Sequence, residues 1–461
     1  MRWRGVSGFC AGWLRSRLPA DAGQVAVLFA MMMVPIIGAG ALTLDIANLW
    51  HERQVAQYAV DAGALGGAQS LPGDAAAAEA TASALVLANA PSLTAADVSI
   101  SFRCLVGDRN HDGVADASDI PSACDPKADA SWIVSGGLAV SPCVPAHGAK
   151  CNVIVVTAGT DVPFVLAPVI GFNHGDTGNL VAAACRGLCG GPPTVPVDVV
   201  LVIDRTGSMS GADITNARTA ANALFSVYDP TRQWVALGLL GPSRTTGATC
   251  SGVNSPARGL AASSTQYAAG SWVPVALSGT GAPLNEAYKN ADGTLNTSST
   301  LVKAIRCFDT SGTGTNLSTP ITAASQYLQA NGRVGVRKGI ILETDGSPNY
   351  GGAGTASDYT CVAAANAAST AKAAGIEIVT IGFGLAAGDL CPDSSGVYRN
   401  VSVLQLLSDM STSSVNNGCT DAENTDGDHF YCLPKTSQLQ GIFESAAAAV
   451  AGGPRLLVLP H

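Results

Sequence analysis

Residues 199–211 read VVLVIDRTGSMSG. Five apolar residues run without a break into Asp-x-Thr-x-Ser. An unbroken apolar run is how a parallel strand buried on both faces reads. Side chains just past the carboxyl end of such a strand line the crevice in which open α/β sheets hold their ligands. Two later segments carry further oxygen donors, GTGTNLS (312–318) and, at the end of another apolar run, KGIILETDGSPN (338–349). Together they nominate Asp204, Thr206, Ser208, Thr315 and Asp345 as a scattered five-residue metal site. Hydroxyl and carboxylate oxygens are hard donors, suited to Mg²⁺ or Ca²⁺. The plain alternative is a hydroxyl-rich turn in which Ser208 or Ser210 caps a helix.

Around this stretch strands and helices alternate. VDVVLVI (197–203), WVALGLL (234–240), KGIILET (338–344) and IEIVTIGF (376–383) read as strands, with helical stretches near 211–227, 317–331, 362–374 and 436–450. Alternation of this kind predicts an α/β fold with a doubly wound, mostly parallel sheet. Residues 243–300 are rich in Gly, Ser and Thr and read as a long elaborated loop, with one strand over Trp272–Leu277. A Gly/Pro-rich boundary at 188–196 separates this domain (191–461) from what precedes it. Upstream, VSISFRC (98–104), CNVIVVTA (151–158) and NLVAAAC (179–185) read as strands, and 74–89 as an alanine-rich helix. That gives an α+β stalk over 49–190.

The stalk hangs on an anchor. Val25 to Leu44 is a run of twenty residues without a formal charge, long enough to span a bilayer core as a helix. Pro35 inside it is tolerable in a membrane helix. Residues 1–22 carry Arg2, Arg4, Arg15 and Arg17 against Asp21 as the one acid. The positive-inside rule then puts this basic segment in the cytoplasm and the rest outside, with a transmembrane helix over 23–48. A cleaved signal peptide is the competing reading, and the length of the run argues against it. Helical character continues through His51–Leu71, where Gly63 and Gly67 are four residues apart among alanines. Such a face permits close approach of a second helix, or it belongs to an ordinary alanine-rich helix.

Of 13 cysteines, Cys10 precedes the span and the other twelve follow it. An even number in an exported region predicts disulfides. Near neighbours suggest Cys104 with Cys124, Cys143 with Cys151, Cys185 with Cys189, and Cys419 with Cys432. Hydrophobic residues make up 47% of the chain and charged residues 13%, so a sizeable core is expected, and a net charge of −9 disfavours a nucleic-acid partner.

The loop GDRNHDGVADASD (107–119) sets Asp108, Asn110, Asp112, Asp116 and Asp119 at positions 1, 3, 5, 9 and 12, with Gly113 at 6 and the carbonyl of Val114 at 7. That is Ca²⁺-loop spacing, with a shorter Asp in place of the usual bidentate Glu at position 12. A solvated acidic turn is the alternative. A further acidic stretch, CTDAENTDGDHFYC (419–432), fits no metal loop and reads as a disulfide-tied surface loop, with His429 solvated.

Residues from about 197 to 450 resemble a von Willebrand factor type A domain, with Asp-x-Thr-x-Ser, a distant Gly-x-Thr and a strand ending in Thr-Asp-Gly. The resemblance implies a metal-ion-dependent adhesion site holding Mg²⁺ or Mn²⁺. Thr206, Ser208 and Thr315 would supply hydroxyls, and Asp204 and Asp345 would bind directly or through water. Thr206 stands where the family more often has Ser. Thr313 is a rival to Thr315, which is preferred because Asn-Leu follows it. The segment Gly23–Gln69, with Gly23-Gln24 before the span, Asp45 at its end and Asp61-Ala-Gly-Ala-Leu-Gly-Gly-Ala beyond, is similar to TadG-like proteins of the Flp (tight adherence) pilus-assembly system. There an anchor often precedes a type A domain. Leu28 stands where prepilins related to this family carry Glu, which argues against prepilin processing, and residues 72–190 are only loosely pilin-like.

No GxxxxGK[ST] phosphate loop, HExxH motif or Ser/His/Asp set is present, so neither a nucleotide nor catalysis is expected. The expectation is a single-pass inner-membrane protein with a periplasmic, disulfide-bonded ectodomain. It would bind a protein of the pilus-assembly machinery through an acidic side chain that completes the metal shell, with lipid around the anchor. A surface-exposed adhesin and a structural anchor with an unused metal site remain open alternatives.

Overall fold

Nothing in the uncharged run or the alanine-rich sequence beyond it stops a helix. The computed structural model carries one helix, α1, over Ala22–Ala68, 47 residues with Pro35 inside. At a rise of 1.5 Å per residue this is roughly 70 Å long. The structure describes residues 22–459 apart from 108–113, 116–123, 128, 129, 136, 188, 191–194, 244–271, 309, 311–313, 350–358, 386, 387, 415, 421, 422, 426 and 434–438. The first half of α1 stands clear of the protein, with Leu28, Phe29, Met31, Val34 and Ile37 all exposed. Its most apolar window has a mean hydropathy of 2.2, and none of that window is buried. The helix is long and apolar enough to cross a membrane.

The second half of α1 is docked. Ala56, Ala59, Val60, Ala64 and Ala68 are buried against α2 (Ala75–Asn89), whose first turn is capped by Asp74 accepting from the Ala77 amide at 2.8 Å. The small residues allow this contact. A Cβ on Gly63 would stand 2.9 Å from the Ala82 carbonyl oxygen, and one on Gly67 would stand 2.7 Å from both the Ala78 carbonyl oxygen and Ile154 Cδ1. Replacing Gly67 with Val should therefore destabilise this helix–sheet unit by about 1–3 kcal/mol through overpacking. Gly441, within a later helix and with nothing within 4 Å of its Cβ position, is the control. Gly441→Ala should raise the melting temperature, since Ala exceeds Gly in helix propensity by about 1 kcal/mol. A Gly67→Val chain that melts no lower than the parent would remove this account of the small-residue face.

Both helices cover one face of a six-stranded antiparallel sheet. It is built from β1 (Val98–Gly107), β2 (Ile133–Ser135), β3 (Leu138–Cys143), β4 (Val153–Ala158), β7 (Leu180–Cys185) and β14 (Arg455–Leu457), in the order β14-β7-β4-β1-β3-β2. Two short strands, β5 (Asp161–Pro163) and β6 (His174–Asp176), form a separate ribbon. The last strand, β14, follows the parallel-sheet domain in sequence, yet its Leu456 pairs with Ala184 on the edge of this antiparallel sheet. The β7 edge offers unpaired backbone groups, and Leu457 packs on the second face of that sheet beside Val153 and Val155.

The second sheet has the order β10-β9-β8-β11-β12-β13. Its strands are β8 (Val197–Asp204), β9 (Gln233–Leu240), β10 (Val275–Ser278), β11 (Arg337–Thr344), β12 (Ile376–Phe383) and β13 (Phe430–Leu433). Neighbours are parallel except β10, which runs antiparallel to β9 at the edge. All eight residues of β8 are buried, because helices cover both faces. Val199, Leu201 and Ile203 pack with α3 (Gly211–Val227), α4 (Thr300–Cys307) and α8 (Leu439–Ala451). Val200 and Val202 face α5 (Ser318–Asn331), α6 (Thr360–Ala373) and α7 (Val403–Met410). The doubly wound, mostly parallel α/β fold is thus present. β13 corrects one expectation: the acidic stretch 419–432 is not simply a surface loop, because Phe430 and Cys432 are buried in the sixth strand.

Disulfides join Cys104 to Cys124, Cys143 to Cys151, Cys185 to Cys189 and Cys419 to Cys432. A fifth joins Cys361 at the start of α6 to Cys391, a pair 30 residues apart that neighbour pairing could not find. Cys307 is also disulfide-bonded, and Cys10 and Cys250 lie outside the described residues.

Candidate metal centre

The strand order reverses direction at β8, with β9 on one side and β11 on the other, so the carboxyl ends of β8 and β11 form the switch-point crevice of this sheet. Asp204 is the last residue of β8 and is fully buried. Its Oδ1 accepts from the Thr206 amide at 2.7 Å and its Oδ2 from Thr344 Oγ1 at 2.7 Å. The chain then turns through Thr206 and Ser208 into α3. Ser210 is the helix cap, in a reciprocal capping box with Asp213. The capping alternative is therefore met by Ser210, and Thr206 and Ser208 point elsewhere.

They point at each other and at the other two segments. Thr206 Oγ1 lies 3.2 Å from Ser208 Oγ and 3.2 Å from Thr315 Oγ1, and Ser208 Oγ donates to Asp345 Oδ1 at 2.6 Å. All five nominated residues thus meet in one hydrogen-bonded cluster. Thr313, the rival, lies outside the described residues.

Three neighbours hold the cluster in place. Asn349 clamps the Thr315 loop from both sides, its Oδ1 accepting from the Thr315 amide at 2.9 Å and its own amide donating to the Thr315 carbonyl at 3.1 Å. Thr344 fixes the Asp204 carboxylate. Glu343 is fully buried on β11 and accepts from the Asp204 amide at 3.1 Å through Oε2, while its Oε1 has no hydrogen-bond partner among the described residues. The Thr-Asp-Gly signature already contained Thr344, but nothing in the sequence marked Glu343 or Asn349.

The electrostatics favour a cation. Burial pushes the Asp204 carboxyl up from its ordinary value. Burial, then the nearby Asp204 charge, pushes Glu343 well up, and the same two causes lift Asp345 to about 6. Arg205, next in sequence, turns its guanidinium to the Gly241 carbonyl and Ser243 Oγ. A divalent ion beside Asp204 and Asp345 would offset the burial that raises both carboxyl groups and the like charge that adds to it at Asp345. Gly346 keeps room for it, since a Cβ there would lie 3.0 Å from Thr315 Oγ1 and 3.4 Å from Ser208 Oγ. Among the described residues no group of three or more His, Cys, Asp or Glu could hold a metal ion. The set here consists of two carboxylates and three hydroxyls, so its hold on an ion rests on the hydroxyls as well.

Of the second nominated site only Val114 is described, and it is exposed. Asp108, Asn110, Asp112, Asp116 and Asp119 lie outside the described residues. A separate cavity of about 310 Å³ sits at the opposite end of the parallel sheet, where Arg337 and Glu377 at the starts of β11 and β12 face Gln69 and Arg186. His429 lines it and is only 6% exposed, so the expectation of a solvated histidine does not hold.

Residues 23–70 match the Flp pilus-assembly TadE/G-like family model, and residues 282–444 match the von Willebrand factor type A domain model. The second match begins downstream of β8, but β8 is hydrogen-bonded to β11 within it. No curated protein matches the chain. Among solved structures, the pilus adhesin SpaC from Lactobacillus rhamnosus GG is 16% identical, with 65% of this chain and 33% of that chain covered and a TM-score of 0.36. Proximal thread matrix protein 1 from the mussel byssus, with a zinc-occupied MIDAS motif, is 13% identical over 56% of this chain and 48% of its own, with a TM-score of 0.33. Manganese-loaded TRAP protein from Plasmodium vivax is 12% identical over 57% of this chain and 77% of its own, with a TM-score of 0.32. The chain spans about a third of the length of the SpaC chains it matches. At these scores the likenesses add no argument to the geometry above.

Proposed function

We propose that this chain, which joins a TadE/G-like N-terminal segment to a von Willebrand type A domain, is a membrane-anchored component of Flp-type pilus assembly that captures a protein partner through a divalent cation. The observation that carries the reading is the convergence of Asp204, Thr206, Ser208, Thr315 and Asp345 in one cluster at the sheet's switch point. These residues would hold Mg²⁺ or Mn²⁺. With three of the five donors neutral, the ion keeps affinity for one more anionic oxygen, which an acidic side chain of the partner supplies. The four N-terminal arginines support a cytoplasmic N-terminus and a periplasmic ectodomain. The 108–119 loop would take Ca²⁺ by its spacing.

Metal removal tests the reading. The tagged full chain, extracted from native membranes in Mg²⁺, should co-purify with a partner that EDTA releases and that fresh Mg²⁺ recaptures. A partner held equally well in EDTA would count against capture through the ion.

A further inference from the structure

The ribbon β5–β6 carries an unusual tip. Residues 164–173 between the strands, FVLAPVIGFN, contain no charge. Val165, Val169 and Phe172 are 79%, 91% and 55% exposed, and Leu166 and Ile170 are also exposed. A contiguous apolar patch of this kind marks an interaction surface. Its location says which one. The buried carboxylate of Asp45 on α1 accepts from the backbone amides of Val165, Leu166 and Ala167 at 3.0, 2.9 and 2.6 Å. Those amides open the 3₁₀ turn Ala167–Ile170 and would otherwise lack partners. Farther down the helix, a Cβ on Gly38 would stand 3.4 Å from Ile170 Cγ2. Gly38 lies six residues inside Leu44, the end of the uncharged run, which at 1.5 Å per residue is roughly 9 Å below that end. Whatever medium surrounds residues 38–44 of α1 therefore also surrounds the tip.

We infer that the 164–173 tip inserts into the outer leaflet of the bilayer and seats the ectodomain against the membrane, with lipid as its partner. This rests on the reading of α1 as a membrane anchor. The tip adds a second apolar contact beside the helix. Asp45 holds the two together, its charge satisfied by three amides at the depth where an unpaired carboxylate would be costly. A helix alone leaves an ectodomain free to tilt and rotate, whereas two inserted points fix its orientation.

The test uses the full chain with Cys10→Ser in phosphatidylcholine/phosphatidylglycerol vesicles that contain nitroxide-labelled lipid. A fluorophore is attached at Val169→Cys, Val34→Cys or Val334→Cys, with the labelling of the Cys10→Ser background subtracted. Val334 is fully exposed, remote from α1 in sequence, and reports water. Quenching at 169 should approach that at 34 and exceed that at 334 several-fold. Quenching at 169 as low as at 334, with 34 strongly quenched, overturns the proposal and leaves the anchor intact. An unquenched label at 34 overturns the anchor and the proposal with it. Asp45→Ala should lower quenching at 169 by at least half without changing it at 34. Unaltered quenching at 169 would overturn the seating role of Asp45.

Discussion

An Asp204→Ala chain should stay folded and lose all stabilisation by Mg²⁺. A ligand that binds only the folded state at 100 times its Kd stabilises by about 2.7 kcal/mol, which for a domain of this size raises the melting temperature by roughly 5–10 °C. The parent should show that shift, and the variant none. The fold should survive because two opposed effects accompany the change. The variant loses the acceptors for the Thr206 amide and Thr344 Oγ1, but it also removes the charge that pushes Glu343 and Asp345 up. Glu343→Gln is the informative companion. It keeps an oxygen to accept from the Asp204 amide without adding charge, so it should retain the Mg²⁺ shift. Scanning calorimetry with and without Mg²⁺ reads both. A full shift in Asp204→Ala would mean that the ion binds elsewhere, and a missing shift in the parent would leave the cluster without a metal role.

The five-residue cluster was legible in the sequence because each donor sits at the end of a strand, just beyond one, or just before a helix. The run Val199–Ile203 reads as a strand buried on both faces, which places Asp204 at its carboxyl end. Asp345 followed from the same logic applied to β11, whereas Thr315 came from the resemblance to the type A pattern, in which Asn-Leu follows the threonine. What supports the cluster was not legible. Glu343 is a lone acid at the end of the apolar run of β11, and Asn349 is an asparagine after a proline. Their roles depend on which strand lies beside which, and the β8–β11 pairing brings together residues about 140 apart. The same limit explains β13 and β14. Phe430–Leu433 hides in an acidic stretch, and Arg455–Leu457 is too short to carry a period. Each becomes a strand only because a sheet edge is waiting for it. α4 and α7, eight residues each, were likewise too short to be read from periodicity. The anchor is the opposite case: twenty uncharged residues need no partner to be read.

His429 is another residue whose meaning lies in tertiary placement, and it predicts an acid sensitivity. Its backbone carbonyl accepts from the Thr380 amide at 2.9 Å, and the residue lines the cavity between the two sheets. Nδ1 is buried with no hydrogen-bond partner among the described residues. Burial first, and then the Arg186 guanidinium, push the imidazole down to about 4, Arg337 adding to this and a hydrogen bond to the Ser413 backbone opposing it. In the unfolded chain an imidazole titrates near ~6.5. Between those values the unfolded state binds the extra proton and the folded state does not, so stability present above ~6.5 is lost as pH falls toward about 4, at up to ~1.4 kcal/mol per pH unit. The total reaches about 3 kcal/mol, an order-of-magnitude figure from the width of that window. Asp204, Glu343 and Asp345, which are pushed up, act with the opposite sign when no ion is bound. The observable is therefore the difference between parent and His429→Gln, which cancels their contribution. In denaturant titrations the parent should lose about 3 kcal/mol more than the variant between pH 7 and pH 4. Parallel curves for the two chains would show that the imidazole accepts its proton in the folded state, and that the cavity opens without cost to admit it.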